Sequence, residues 1–223
     1  MLRKVLVKAF VEPLFLYGML FFVRFGGTLT LPEPLGEFSA FKGVPELLTR
    51  TLPCLFLVWF FLLRKKSARE WGVAGFGRRD MLSGVVALPS IVVVGFATAL
   101  AALHFGGNPP LPVPASPGSA LGWAFLGIWI LGAAYLEESY FRFYLLSKRS
   151  ELGLGPHAAV LLSTLMFALC HLYMGPWGLL NAALSGAALC YVFLKFGSLH
   201  GIAIAHGVYN IAVYAMGGPA SGG

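Results

Sequence analysis

The chain of 223 residues is 58% hydrophobic and only 11% charged, with a mean hydropathy of +0.79. A soluble domain of this length needs far more polar surface, so the composition points to a single membrane-embedded domain over 1–223. The net charge of +7 does not call for nucleic acid, because Lys and Arg of membrane proteins collect on cytoplasmic loops.

A bilayer crossing takes roughly 20 consecutive apolar residues. Runs of that kind recur at roughly 5–23, 45–63, 81–104, 119–147, 157–174, 177–195 and 198–216. They predict an all-α, polytopic helix bundle of about seven transmembrane helices. The start, Met1-Leu2-Arg3-Lys4 followed by apolar residues, superficially resembles a signal peptide. Lys8 and Glu12 interrupt the run and no small-residue cleavage site precedes Gly26, so it reads as a retained first helix or an interfacial one. Gly106-Gly107-Asn108-Pro109-Pro110 and the prolines up to Gly118 form a loop, since proline removes backbone donors. Gly153, Gly155 and Pro156 separate the fourth and fifth segments, and Gly175-Pro176 and Gly197-Ser198 make tighter turns. No repeat is visible, and the Gly-rich tail 217–223 reads as disordered. Cys54, Cys170 and Cys190 lie inside apolar runs, odd in number and scattered, and read as small packing residues.

Orientation follows from the basic residues. With the N-terminus inside, the inner loops hold Arg3, Lys4, Arg64, Lys65, Lys66, Arg69, Arg78, Arg79, Lys148, Arg149 and Lys195. The outer loops hold Arg24, Lys42 and Arg50, so the bias favours N-terminus inside and C-terminus outside.

Against this apolar background a few residues stand out. Charges deep in a bilayer cost about 2.5–3.5 kcal/mol each on insertion scales and usually mark function. Leu136-Glu137-Glu138-Ser139-Tyr140-Phe141-Arg142 lies in the fourth segment, with Glu137 roughly 15 Å from its inner end at about 1.5 Å per residue. Glu138 and Arg142 are four residues apart and can pair on one face, whereas Glu137 is rotated about 100° away. The fifth segment carries Phe167 and His171. In the seventh, His206 and Asn210 share a face. Asn181 and Ser185, four apart on the sixth, can add hydrogen bonds or simply glue helices together. His104, His157 and His200 fall near predicted helix ends, where solvent or headgroups satisfy them, and are assigned no chemistry.

The order Glu-Glu-x-x-x-Arg, Phe-x-x-x-His and His-x-x-x-Asn, each on its own membrane helix, resembles the CPBP family. These are intramembrane glutamic proteases related to the Ras-converting CAAX prenyl endopeptidase, also called Abi proteins. Gly186 and the turn Gly197-Ser198-Leu199 add to the likeness, which covers about 119 to 216. The resemblance implies a catalytic four-helix core over 119–216, with 1–105 as peripheral helices, in place of the eight helices of eukaryotic and archaeal relatives. It implies Glu137 as the base that activates water, with His171 helping to hold it. His206 and Asn210 would stabilise the oxyanion, and Glu138 and Arg142 would orient the site. It also implies no cofactor and no metal. The substrate would be a membrane protein or lipidated peptide, met in the lipid bilayer of a bacterial or archaeal cytoplasmic membrane.

Other classes remain open to the residues themselves. Glu137, His171 and His206 offer a two-His, one-carboxylate zinc set, but there is no His-Glu-x-x-His motif and Arg142 repels a cation. Cys170 and the adjacent His171 point about 100° apart on a helix and make no dyad. A transporter or proton relay also uses intramembrane Glu and His, although inverted repeats with broken helices are not seen. A retinal protein needs a late-helix lysine, and 198–216 has none. A scaffold of the same fold without protease activity is the last alternative.

Overall fold

A computed structural model describes residues 2–22, 40–106 and 115–216 of the chain. Most of the predicted loop 106–118 and the whole tail 217–223 lie outside the described residues, as do the side chains of Lys8, Arg24 and Lys42.

The described residues form seven helices and no strand. They are α1 (Leu2–Phe21), α2 (40–63), α3 (Arg78–His104), α4 (Ala120–Ser147), α5 (Pro156–Leu169), α6 (Gly175–Phe196) and α7 (Leu199–Met216). α2 and α4 each contain a π-helical stretch, Leu47–Thr51 and Ser139–Tyr144 respectively. Local chemistry sets the boundaries. Gly77 opens α3, and its N–H donates to Asp80 Oδ2 at 2.8 Å, one half of a capping box. Ser119 caps α4 by accepting from the Gly122 N–H at 3.1 Å. Pro156 starts α5, where a missing N–H costs nothing. α6 ends on Gly197 in the left-handed conformation, φ 63°.

Four helices are long and apolar enough to cross a bilayer, namely 43–63 of α2, α3, α4, and α6 with the turn before it. The protein is an integral membrane protein. The other three of the seven expected helices, α1, α5 and α7, are not among these four. α1 has a shorter apolar stretch, Phe10–Phe21, and α5 has 14 residues. At 1.5 Å per residue α5 covers about 21 Å of a hydrocarbon core of about 30 Å. Its predicted extension to 174 is replaced by a tightened end. The N–H groups of Cys170 and His171 donate to Phe167 O and Ala168 O, three residues back, and a 3-10 turn follows at Leu172–Met174. Non-helical backbone at membrane depth is tolerated where it is buried or lines a cavity, and this turn lines one.

One end of the bundle collects the basic loops. There Glu12 of α1 accepts from Tyr144 Oη at 2.6 Å, pairs with Lys148, and lies 3.6 Å from Arg64. Glu12 thus has a tertiary role, tying α1 to α2 and α4. Further along α1, Tyr17 donates to Met166 O at 2.7 Å, and the Phe21 ring stacks on Phe141. The widened turn of α4 is tied to α5 by Ser163 Oγ, which donates to Phe141 O at 2.6 Å. Cys170 and Cys190 are buried free thiols and Cys54 is half-buried.

α3 packs against α6 and α7. Its contact with α7 is made by backbone, because Gly84 and Gly201 face each other without side chains. A Cβ on Gly201 would stand 2.3 Å from Asp80 O and 2.9 Å from Gly84 N. Such small-residue contacts are how helices approach closely in lipid, where no hydrophobic force drives them together. Gly201→Ala is therefore expected to destabilise by about 1–3 kcal/mol through overpacking. Gly18→Ala, with nothing within 4 Å, should be neutral or gain helix propensity. Melting temperatures in detergent check this, and equal values for the two variants contradict the contact.

Candidate active site

The centre of α4 presents two adjacent carboxylates with different surroundings. Glu138 has no solvent exposure, and its Oε1 accepts from Arg142 Nη1 at 2.8 Å, the i,i+4 pair expected from spacing. The same oxygen accepts from His206 Nδ1 at 2.8 Å, so α4 and α7 are joined through one atom. Arg142 is also fully buried. Its Nη2 donates to Gly186 O of α6 at 3.4 Å, and its guanidinium lies 4.2 Å from the Phe167 ring centre. A Cβ at Gly186 would meet Phe167 Cδ1 at 3.0 Å and Arg142 Nη2 at 3.3 Å. Glycine is needed there because the guanidinium reaches the α6 backbone itself.

Glu137 points elsewhere. Its side chain keeps 25% exposure and faces a cavity of about 160 Å³. Its Oε2 stands 3.8 Å from His206 Nε2, so the His206 ring lies between the two glutamates. His171 lies beyond the end of α5, contrary to its expected place within that helix. Its Nδ1–H turns back to donate to Phe167 O at 2.8 Å, which leaves Nε2 as the acceptor nitrogen. Phe167 thus serves twice, its ring against Arg142 and its carbonyl on His171.

Glu137, His171, His206 and Asn210 all line this one cavity, while Glu138 and Arg142 lie behind its wall. Asn181 and Ser185 line it as well. Asn181 Oδ1 accepts from Thr98 Oγ1 at 3.2 Å and its side chain also hydrogen-bonds Tyr209. The sequence reading missed the rest of the wall, chiefly Ile91 of α3, Trp129, Tyr173, Tyr209 and Tyr214. Tyr209 alone had a signal, its place inside the His206–Asn210 stretch. The cavity volume holds several waters, since one occupies about 30 Å³ in the liquid.

His200 needs a correction. It is satisfied by protein and not by solvent or headgroups, because its Nε2–H donates to Val73 O at 3.1 Å and Nδ1 accepts from Tyr135 Oη at 3.0 Å. His157 meets Tyr191 Oη at 3.2 Å on the surface.

Ionisable groups gathered around a cavity inside an apolar helix bundle mark a candidate functional site of this integral membrane protein. Residues 117–212 match the family model described as type II CAAX prenyl endopeptidase Rce1-like, a span that contains all six residues from Glu137 to Asn210 discussed above. Over that span the chain is similar to the Rce1-like CAAX endopeptidases. No curated protein and no solved structure matches the chain.

Proposed function

We propose that the protein is an intramembrane glutamic endopeptidase that cleaves membrane-associated or lipid-anchored polypeptides, with its N-terminus on the cytoplasmic side. Glu137 takes a proton from a water in the cavity, and the water oxygen attacks the scissile carbonyl carbon. His171 Nε2 accepts a second hydrogen bond from that water and fixes its direction. His206, in its imidazolium form and held through Nδ1 by Glu138, donates from Nε2 to the developing oxyanion together with the Asn210 amide. Donors fixed in a site shielded from bulk water stabilise such charge strongly. Collapse of the tetrahedral intermediate breaks the C–N bond, and Glu137 returns its proton to the leaving amine. Arg142 and Glu138 act one layer away, as positioning residues.

The observation that carries this reading is the division of labour between the two glutamates. Glu138 is fully enclosed and committed to Arg142 and His206, whereas Glu137 is free to face the cavity beside an imidazole. A purely structural pair needs only one acid. The guanidinium directly behind Glu138 and His206 also disfavours a dication at this position. Quantitative mapping of membrane-protein termini, comparing cells with the native chain and cells with Glu137→Ala, should reveal termini that vanish in the variant. Identical terminal profiles, with the variant present at normal abundance, would remove the protease reading.

A further inference from the structure

The basic residues are not balanced evenly around the end of the bundle where they collect. On the α2–α4 side they have partners. Arg64 and Lys148 meet Glu12, Lys65 pairs with Glu151, and Arg149 donates to Leu146 O at 2.9 Å. On the α3–α6 side, Arg78, Arg79 and Lys195 are exposed, and none pairs with a carboxylate among the described residues. The carboxylates nearest in sequence are engaged elsewhere. Asp80 accepts from Ser198 Oγ at 2.6 Å and from the Gly77 N–H at 2.8 Å. Glu70 accepts from Ser67, through Oγ at 2.7 Å and the N–H at 2.8 Å. The Arg79 guanidinium lies at the turn between α6 and α7, where a Cβ on Gly197 would stand 3.6 Å from its Nη2.

An outward apolar stripe of α3 begins directly at these cations. Met81, Leu82 and Val85 follow Arg78 at i+3, i+4 and i+7, the spacing of one helix face. All three are exposed, Val85 by 69%, and Val93 and Phe96 extend the exposed surface further along the helix. At about 1.5 Å per residue, Met81 to Val93 covers roughly 18 Å, close to one leaflet of a hydrocarbon core of about 30 Å. α3 is one of the four helices long and apolar enough to cross a bilayer, so lipid chains meet this stripe. Phe76, 60% exposed just before Arg78, adds an aromatic ring of the kind that favours the headgroup level.

We propose that this face of α3 seats an anionic phospholipid, with its acyl chains along Met81, Leu82 and Val85 and its phosphate on Arg78 and Arg79. Lys195 adds attraction from the end of α6. A guanidinium meets a phosphate with two parallel hydrogen bonds, and unbalanced cations beside a membrane helix attract anionic headgroups. A zwitterionic headgroup brings its own cation and gains less here. A soluble phosphate would satisfy the arginines but make no use of the stripe. The seat is independent of proteolysis, since neither arginine lines the cavity around Glu137.

Thermal melting in an uncharged detergent tests it, with phospholipid added as mixed micelles. Dioleoylphosphatidylglycerol should raise the melting temperature by roughly 5–10 °C once it exceeds its dissociation constant about a hundredfold. Dioleoylphosphatidylcholine and inorganic phosphate should each give much smaller shifts. Arg78→Gln/Arg79→Gln should lose most of the phosphatidylglycerol shift. Arg78→Gln alone should lose part of it, and serves if the double variant cannot be isolated. Val85→Asn leaves every cation in place and should weaken the shift through the stripe. Arg64→Gln/Lys65→Gln removes as much positive charge from the other side of the same end and should keep the shift. Equal shifts from the two lipids would mean general solvation of apolar surface and overturn the proposal. A shift reproduced by inorganic phosphate would make a free anion the ligand and overturn it too. So would full retention of the shift in Arg78→Gln/Arg79→Gln, or an equal loss in Arg64→Gln/Lys65→Gln, which would reduce the effect to net charge.

Discussion

Glu137→Gln is expected to lower turnover of a fluorogenic membrane peptide by about 10²–10⁴-fold, the usual consequence of losing a general base. The amide keeps the size of the side chain and one acceptor oxygen, but it cannot take a proton from water at neutral pH. The fold should be nearly untouched, because the Glu137 side chain keeps 25% exposure to a cavity and shares no hydrogen bond with Arg142 or Glu138. Substrate binding should also survive, measured as retention of an uncleaved peptide by the detergent-solubilised variant. Glu138→Gln should give the opposite pattern. It removes the negative charge that Arg142 Nη1 and His206 Nδ1 share, and all three groups are buried. Its melting temperature should fall first, with activity following. Wild-type turnover in Glu137→Gln would rule out the mechanism proposed here. Equal losses of melting temperature in the two variants would show instead that the glutamates form one structural network.

Arg142→Ala is expected to destabilise the bundle by about 3–5 kcal/mol, the usual penalty for stranding one partner of a buried ion pair. The guanidinium is bonded to Glu138 and to Gly186 O, and it covers the Phe167 ring, so three helices lose a common contact at once. Activity should fall with stability, since Glu138 also sets the position of His206. Arg142→Lys should rescue little. An ammonium cannot reach Glu138 and the α6 carbonyl in one plane while stacking on a ring. The double variant Glu138→Gln/Arg142→Met removes both charges and should melt above Arg142→Ala alone, because no isolated charge is left buried. Its activity should nevertheless stay low, with His206 no longer held. Melting temperature and turnover measured on the same four proteins decide the matter. Unchanged stability in Arg142→Ala would mean that the pair contributes nothing to the fold.

Much of this was legible in the residues. A charged pair inside an apolar run is conspicuous because lipid makes it costly, and the i,i+4 spacing of Glu138 and Arg142 follows from helix geometry whatever the neighbours do. The grouping of Glu137, His171, His206 and Asn210 into one set came from the order of motifs and not from any distance. His171 was misplaced by the same logic. An apolar run continues through Cys170 and His171 to Met174, and nothing in composition marks the tightening of the last turn of α5. The loop position is what lets the imidazole fold back onto Phe167 O.

The sequence by itself determined the class of fold, because only helices satisfy their own backbone in a bilayer and the apolar runs are too long and too many for anything else. It also determined which ionisable residues are out of place there. The tertiary structure decided which of two adjacent glutamates is enclosed and which faces the cavity. It also made Glu138 the acceptor for both Arg142 and His206, and it brought Ile91 and Tyr214 into the wall. The physical reason is that lipid and protein interior are equally apolar. A membrane helix therefore carries no polar stripe to say which face turns inward, and only the packing of α3, α4, α6 and α7 against one another settles it.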